Sequence, residues 1–238
     1  MNINDKYKNK ITACVNLIEL LGFSKDNILQ KYLNKNFEEE SILKHNVFSE
    51  VLNLKLTNNS YNFLDRKCSN LAYFKDSREN YEYGIDLILG WMIEDTVLYR
   101  LKQDDVMSAL DGKDRYREFL PARKISTQPD LLIGKVNHRS LEIFCDWTNI
   151  WIEKKHADFR DNKFLKLNEK KSLILGLSPI SSQGFLLDLP KHNKYFEKVA
   201  TIPGYGGKPG YSIKKITEFI KPLDKVIEEL VAVSKKLI

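Results

Sequence analysis

Cysteine is scarce in this chain: Cys14, Cys68 and Cys145 are odd in number, far apart and without Cys or His neighbours at metal-site spacing. That excludes a disulfide framework and a Cys/His zinc site, and it suits a reducing, intracellular compartment. Long apolar runs are missing as well, so no segment is of bilayer-spanning length. The polar start Met1-Asn2-Ile3-Asn4-Asp5-Lys6 does not read as a signal peptide. A cytoplasmic, soluble protein with no membrane partner is expected. Histidine is also rare. His138 and His156 stand alone, and no Ser/His/Asp arrangement is visible. There is no internal repeat and no low-complexity tail.

What remains is an ordinary globular composition, 42% hydrophobic and 29% charged over 238 residues. This length holds one large domain, or one domain with an attached subdomain. The formal net charge of +6 favours a polyanionic partner, although basic charge also serves solubility.

The N-terminal part is helical by periodicity. Ile11, Val15, Ile18 and Leu21 recur at helical spacing before Gly22. Ser24 is placed to cap a second helix holding Ile28, Leu29, Tyr32 and Leu33, and Ile42, Leu43 and Val51 mark a third. Residues 57–80 are rich in Asn, Ser and charge and read as loop. Residues 84–102 then form a helix apolar nearly all round, which predicts burial. The segment 103–117 is polar and turn-like, and 118–126 suits a strand. Two strands are expected near 130–136 and 139–147, followed by a helix over 158–169 and strands at 173–177 and 185–187. A flexible basic loop follows at 204–210, then a long helix over 213–237. The fold class is therefore α/β (α+β): a mixed central sheet flanked by helices, with an N-terminal helical region over 1–80, a second region over 81–238 and a long C-terminal helix.

Residues 128–146 carry the chemistry. Gln128-Pro129-Asp130-Leu131-Leu132-Ile133 and Leu141-Glu142-Ile143-Phe144-Cys145-Asp146 each set carboxylates among apolar residues, a costly arrangement unless something binds them. Strand parity decides whether they meet. A two-residue turn at Asn137-His138 puts Asp130 opposite Cys145 and Glu142 on the other face. A three-residue loop over Val136-Asn137-His138 pairs Lys135 with Arg139 and brings Asp130, Glu142 and Asp146 to one face. The turn lacks a two-residue signature such as Asn-Gly, so the odd loop is expected. The same residues also suit a plain strand start and a solvent-facing edge glutamate. Glu94, on an apolar helical stripe with Leu87, Trp91, Leu98 and Leu101, needs a partner: a metal, a lysine or a backbone donor.

Over roughly residues 84–178 the chain resembles the PD-(D/E)XK nuclease superfamily, and within it the type II restriction endonucleases. Three features carry the resemblance: Pro129-Asp130, then Glu142 after eleven intervening residues, and the order helix-strand-strand-strand-helix-strand. It implies a restriction-endonuclease-like core, with Asp130 and Glu142 as catalytic Mg²⁺ ligands. Asp146 and Glu94 complete the shell, Glu94 resembling the acid that some members carry on the preceding helix. The family lysine belongs two residues after the second acid, where this chain has Phe144. Some members carry it on the following helix, and Lys163 takes that catalytic place by resemblance.

The implied activity is site-specific, Mg²⁺-dependent hydrolysis of double-stranded DNA by a homodimer. Phosphate contacts are expected from Lys113, Arg115, Arg117, Arg123, Lys124 and Lys208, and Asn193, Lys194 and Tyr205 are candidate base readers. Trp147, Trp151 and Cys145 read as core. The alternatives are a structure-specific or repair nuclease of the same superfamily, a non-catalytic DNA-binding protein that lost the site, and an unrelated α/β interaction protein.

Overall fold

The structure, a computed structural model, describes residues 3–33, 39–69, 78–112, 115–119 and 128–237. The chain divides into two compact units. One comprises Met1–Arg100 with Tyr116–Ile125, the other Leu101–Arg115 with Ser126–Ile238. The division falls within the long apolar helix, not at residue 80 as the sequence suggested, and the chain returns once to the first unit before entering the second for good.

The first unit is helical among its described residues: α1 (Asp5–Leu20), α2 (Lys25–Gln30), α3 (Glu39–Leu52), α4 (Asn58–Cys68) and most of α5 (Asn80–Gln103). Side chains cap these helices where the sequence supplies them. Asn4 accepts from the Tyr7 amide, Ser24 and Asn27 form a reciprocal capping box, and Thr57 accepts from the Ser60 amide. The region 57–80, expected as loop, thus contains α4, whose buried stripe of Phe63, Leu64 and Cys68 is short but regular. On α5, Ile85, Ile88, Leu89, Trp91, Met92, Ile93 and Val97 are all buried, as expected of a helix apolar on most sides. Phe119 packs its ring edge on Trp91 and Phe63.

The second unit is built on a six-stranded mixed sheet. Its strands are β1 (Ser108–Leu110), β2 (Leu131–Ile133), β3 (Arg139–Cys145), β5 (Leu173–Ser178), β6 (Gln183–Asp188) and β9 (Lys221–Pro222), in the order β1-β2-β3-β5-β6-β9. The pairs β1–β2, β2–β3, β5–β6 and β6–β9 are antiparallel, and β3–β5 is parallel. Every residue of β5 is buried, as its unbroken apolar run requires of a central strand with a parallel neighbour. Gly176 on β5 lies under the Phe185 ring, so closely that a Cβ there would stand 2.2 Å from it.

A second sheet of three antiparallel strands, in the order β4-β8-β7, was not foreseen: β4 (His156–Arg160), β7 (Phe196–Ile202) and β8 (Lys208–Lys214). Residues 158–160, expected to begin a helix, belong to β4, and the helix α7 covers only Asp161–Glu169. The expected basic loop over 204–210 is a hairpin turn, with Gly206 and Gly207 at φ +66° and +75°, running straight into β8. The C-terminal helix α9 (Leu223–Lys235) therefore starts ten residues later than expected, after β9. It packs on β6 through Leu223, Val226, Ile227 and Leu230. The short helices α6 (Ile150–Glu153) and α8 (Leu189–His192) complete the unit.

One apolar cluster joins the two sheets and α7. Ala157, Phe159 and Ile213 from the small sheet meet Phe164 and Leu167 of α7, and Ile174, Phe185 and Leu187 of the large sheet. Each such buried Phe or Leu contributes roughly 1.5–3 kcal/mol, which anchors α7 on β5, β6 and the small sheet. Among the described residues, no helix is long and apolar enough to cross a membrane.

Candidate active site on the mixed sheet

The β2–β3 hairpin sets the register. Leu131 pairs with Leu141, Leu132 with Ser140, and Ile133 with Arg139. The loop is therefore Gly134–His138, longer by two residues than expected. Gly134, at φ +100°, ends β2 by donating its N–H to the Met107 carbonyl. An even shift preserves parity, so the acids still come together, with Asp130 moved from Phe144 to the neighbourhood of Glu142. Just beyond the ladder, the Asp130 N–H donates to the Leu141 carbonyl at 3.1 Å. The Asp130 carboxylate accepts from the Ile143 N–H at 2.7 Å. It is thus bonded to the peptide that follows Glu142.

Glu142 is only 4% exposed, and the Lys163 ammonium stands 2.7 Å from its Oε2. Lys163 arrives from α7, beside Phe164, which is sunk in the apolar cluster. Position 144, where a lysine would follow the acid in sequence, is filled by an aromatic ring packed edge-on against Phe159 at 4.9 Å. The small sheet covers this end of β3, so an ammonium here would be buried in apolar surroundings; one from α7 reaches Glu142 from the side. The structure brings Asp130, Glu142 and Lys163 into one cluster.

Three residues that sequence reasoning missed join them. Lys163 Nζ also donates to the Gln128 carbonyl at 3.0 Å, and Lys170 Nζ bonds the Gln128 side-chain oxygen. Lys170 lies 3.6 Å from Asp111, and the Asp111 N–H donates to the Asp130 carbonyl at 2.9 Å. The sequence signal was the seven-residue spacing of Lys163 and Lys170, two helical turns on one face.

Two expected ligands go elsewhere. Asp146 is buried and holds the turn into α6: its Oδ1 accepts from the Thr148 amide and hydroxyl, its Oδ2 from the Trp151 amide. Asp-x-Thr followed by a short helix is an Asx turn, which explains a buried acid without an ion. Glu94 belongs to the helical unit, where its carboxylate meets Arg117 Nη1 at 2.5 Å. Arg117, expected at a phosphate, is 3% exposed and also grips Asp95, so its charge is directed at protein carboxylates. Of the other expected cations, Arg115 and Lys208 are exposed, while Lys113, Arg123 and Lys124 lie outside the described residues. Among the candidate readers, Tyr205 donates its hydroxyl to the Asp158 carbonyl at 2.7 Å and lies under the Arg160 guanidinium. Trp151 packs on Phe185 in the core, as expected.

Among the described residues, no group of three or more His, Cys, Asp or Glu side chains stands close enough to hold a metal. An all-protein cage is therefore not offered by them. Asp130 and Glu142 remain as a pair, and a pair of hard oxygen donors fits Mg²⁺, which is commonly held by one or two carboxylates and otherwise by water and substrate phosphate. Compared with known proteins, the chain matches no protein-family model, no curated protein and no solved structure.

Proposed function

We propose that the chain is a Mg²⁺-dependent endonuclease that hydrolyses phosphodiester bonds of double-stranded DNA, site-specific in the manner of type II restriction enzymes. The observation that carries this reading is Lys163: a helix-borne ammonium 2.7 Å from the buried Glu142, with Asp130 bonded to the next peptide. Support also comes from the chain order α5, β1, β2, β3, α7, β5, interrupted by α6 and β4, which is the order of the PD-(D/E)XK core. The net charge of +6 suits a polyanionic substrate.

Asp130 and Glu142 would hold the ion, which when bound lowers the pKa of a water and neutralises charge on the phosphate. Asp130 is aimed by the Ile143 amide, so its carboxylate is set before substrate arrives. Glu142 holds the Lys163 ammonium beside the ion site. From there Lys163 donates to the attacking water or to a phosphoryl oxygen as charge develops. Exposed cations, Lys208 among them, contact flanking phosphates. A two-fold symmetric recognition site would be read by two copies of the chain.

The test is incubation of the purified protein with plasmid and genomic DNA, with Mg²⁺ or with EDTA. Discrete fragments that appear only with Mg²⁺, and vanish in Asp130→Ala and Glu142→Ala, are expected. Intact DNA under all conditions, or full activity in either variant, overturns the proposal. A smear in place of fragments retains the nuclease and removes its site specificity.

A further inference from the structure

Lys163 of α7 and Lys170, the residue that caps the C-terminal end of α7, hold opposite ends of one residue. Lys163 bonds the main-chain carbonyl of Gln128, and Lys170 bonds its side-chain oxygen. Gln128 precedes Pro129, which has no N–H to donate, and Pro129 precedes Asp130. The segment that presents Asp130 is anchored by the two lysines at Gln128, the Asp130 N–H on the Leu141 carbonyl, the Asp111 N–H on the Asp130 carbonyl and the Ile143 N–H on the Asp130 carboxylate. Lys170 reaches two of these anchors, because its ammonium also lies 3.6 Å from the Asp111 carboxylate. It is not a surface lysine that happens to fold inward: its side chain is 27% exposed and that of Asp111 is 23% exposed. Lys166 of α7 is similarly exposed at 31%, but its partner Glu169 is a surface carboxylate at 69%.

We infer that Lys170 and Gln128 form a positioning clamp that sets Asp130 and Lys163 relative to Glu142. This rests on the nuclease reading and deepens it. Lys170 touches neither reacting atoms nor the ion; it acts through Gln128 and Asp111. Without it, the Gln128 side chain loses its cation, the carbonyl that receives Lys163 is less fixed, and Asp111 no longer braces the Asp130 peptide from a charged partner. Groups that orient ligands in this way matter for affinity and rate without contributing to substrate contact.

Two readouts test the clamp. In steady-state cleavage, Lys170→Ala is expected to lower kcat by roughly ten- to a hundredfold with KM for DNA within about twofold. Lys170→Arg, which keeps a cation in reach of Gln128 and Asp111, is expected to recover part of that loss. Gln128→Ala should reproduce the part of that loss that passes through Gln128, and the double variant should be no worse than Lys170→Ala, because the two act as one unit. The second readout is free of turnover: the Mg²⁺ concentration that gives half of the maximal Tm rise, measured without DNA. It should increase by roughly tenfold in Lys170→Ala, while the Tm without Mg²⁺ confirms folding. If wild-type protein cleaves and Lys170→Ala keeps its kcat and Mg²⁺ midpoint within twofold, the clamp alone is overturned. The same holds if the losses in the double variant multiply. If wild-type protein neither cleaves DNA nor responds to Mg²⁺, the nuclease reading falls and the clamp with it.

Discussion

Each unit of the molecule contains a cluster of acids and cations, and the two are built differently. In the helical unit Asp95 is fully buried. Arg117 holds it through Nε and Nη2, Tyr32 donates its hydroxyl, and Lys31 closes the remaining side. Arg117 also takes Glu94. Two cations face two carboxylates, and the cluster is closed. In the sheet unit Lys163 pairs with Glu142 and Lys170 with Asp111, and Asp130 is held by the Ile143 amide. The members come from strands, a helix and a loop, and several reach solvent. A balanced, enclosed cluster is what tertiary stability requires of buried charge. A cluster gathered on a sheet, with members that reach solvent, is the one that the proposed function would use.

The comparison breaks most visibly by removing one partner from each cluster. Arg117→Ala leaves two carboxylates, one of them fully buried, without their principal cation, and should destabilise the protein by roughly 3–5 kcal/mol. Glu142→Gln keeps shape and hydrogen bonding, and should change stability by about 1 kcal/mol or less while eliminating cleavage. Urea titration and plasmid cleavage on both variants measure the contrast. A stable Arg117→Ala with weakened DNA binding would reverse it and return Arg117 to the role that the sequence suggested.

That reversal matters because the sequence could not separate the two clusters. Arg117 sits among Lys113, Arg115, Arg123 and Lys124 and reads as one of a basic group; nothing local reveals that Asp95, twenty-two positions earlier, receives it. Glu94 was legible as an acid in need of a partner, but the partner was not. The hairpin with Asp130 and Glu142 was legible because parity is a local property of alternating strands. Its register was not, since Gly134 leaves the ladder early for a bond to Met107, a contact outside the hairpin. The small sheet was missed for the opposite reason. Phe196-Glu197-Lys198-Val199-Ala200-Thr201-Ile202 has weak alternation and a bulge between Val199 and Ile202, so its strand character comes from packing against Phe159 and Phe164. Phe144, which departs from the expected motif, packs on Phe159 of that unseen sheet.

Exposed cations sharpen the comparison on a smaller scale. Lys208 opens β8 and is exposed. If it neutralises one phosphate, Lys208→Ala should lower DNA affinity modestly and equally for cognate and unrelated duplexes. The slope of log K against log salt should fall by about 1. Fluorescence anisotropy across a salt series measures this, and an unchanged slope removes Lys208 from the interface.

The last comparison concerns pH and reads the buried charge of the helical unit by titration. Burial, only partly offset by the Asp95 carboxylate, pushes the Lys31 ammonium down to about 8 from its ordinary 10.5. Below pH 8 both folded and unfolded chains carry the proton, so Lys31 adds no slope there. Between about 8 and 10.5 the folded protein has released it while the unfolded chain keeps it. The unfolded state then binds more protons, so the Lys31 contribution to stability rises with pH across that window. Burial raises the Cys14 and Cys68 thiols, and those groups act with the opposite sign as the unfolded thiols ionise near pH 9. Tyr32, also raised by burial, does the same as the unfolded phenol ionises near pH 10. The informative quantity is therefore the difference between wild type and Lys31→Met in urea midpoints taken from pH 7 to 10. That difference should change steadily above pH 8, in the sense that wild type gains on the variant, and stay flat below it. A flat difference throughout would mean that Lys31 keeps its proton, with Asp95 compensating its burial in full.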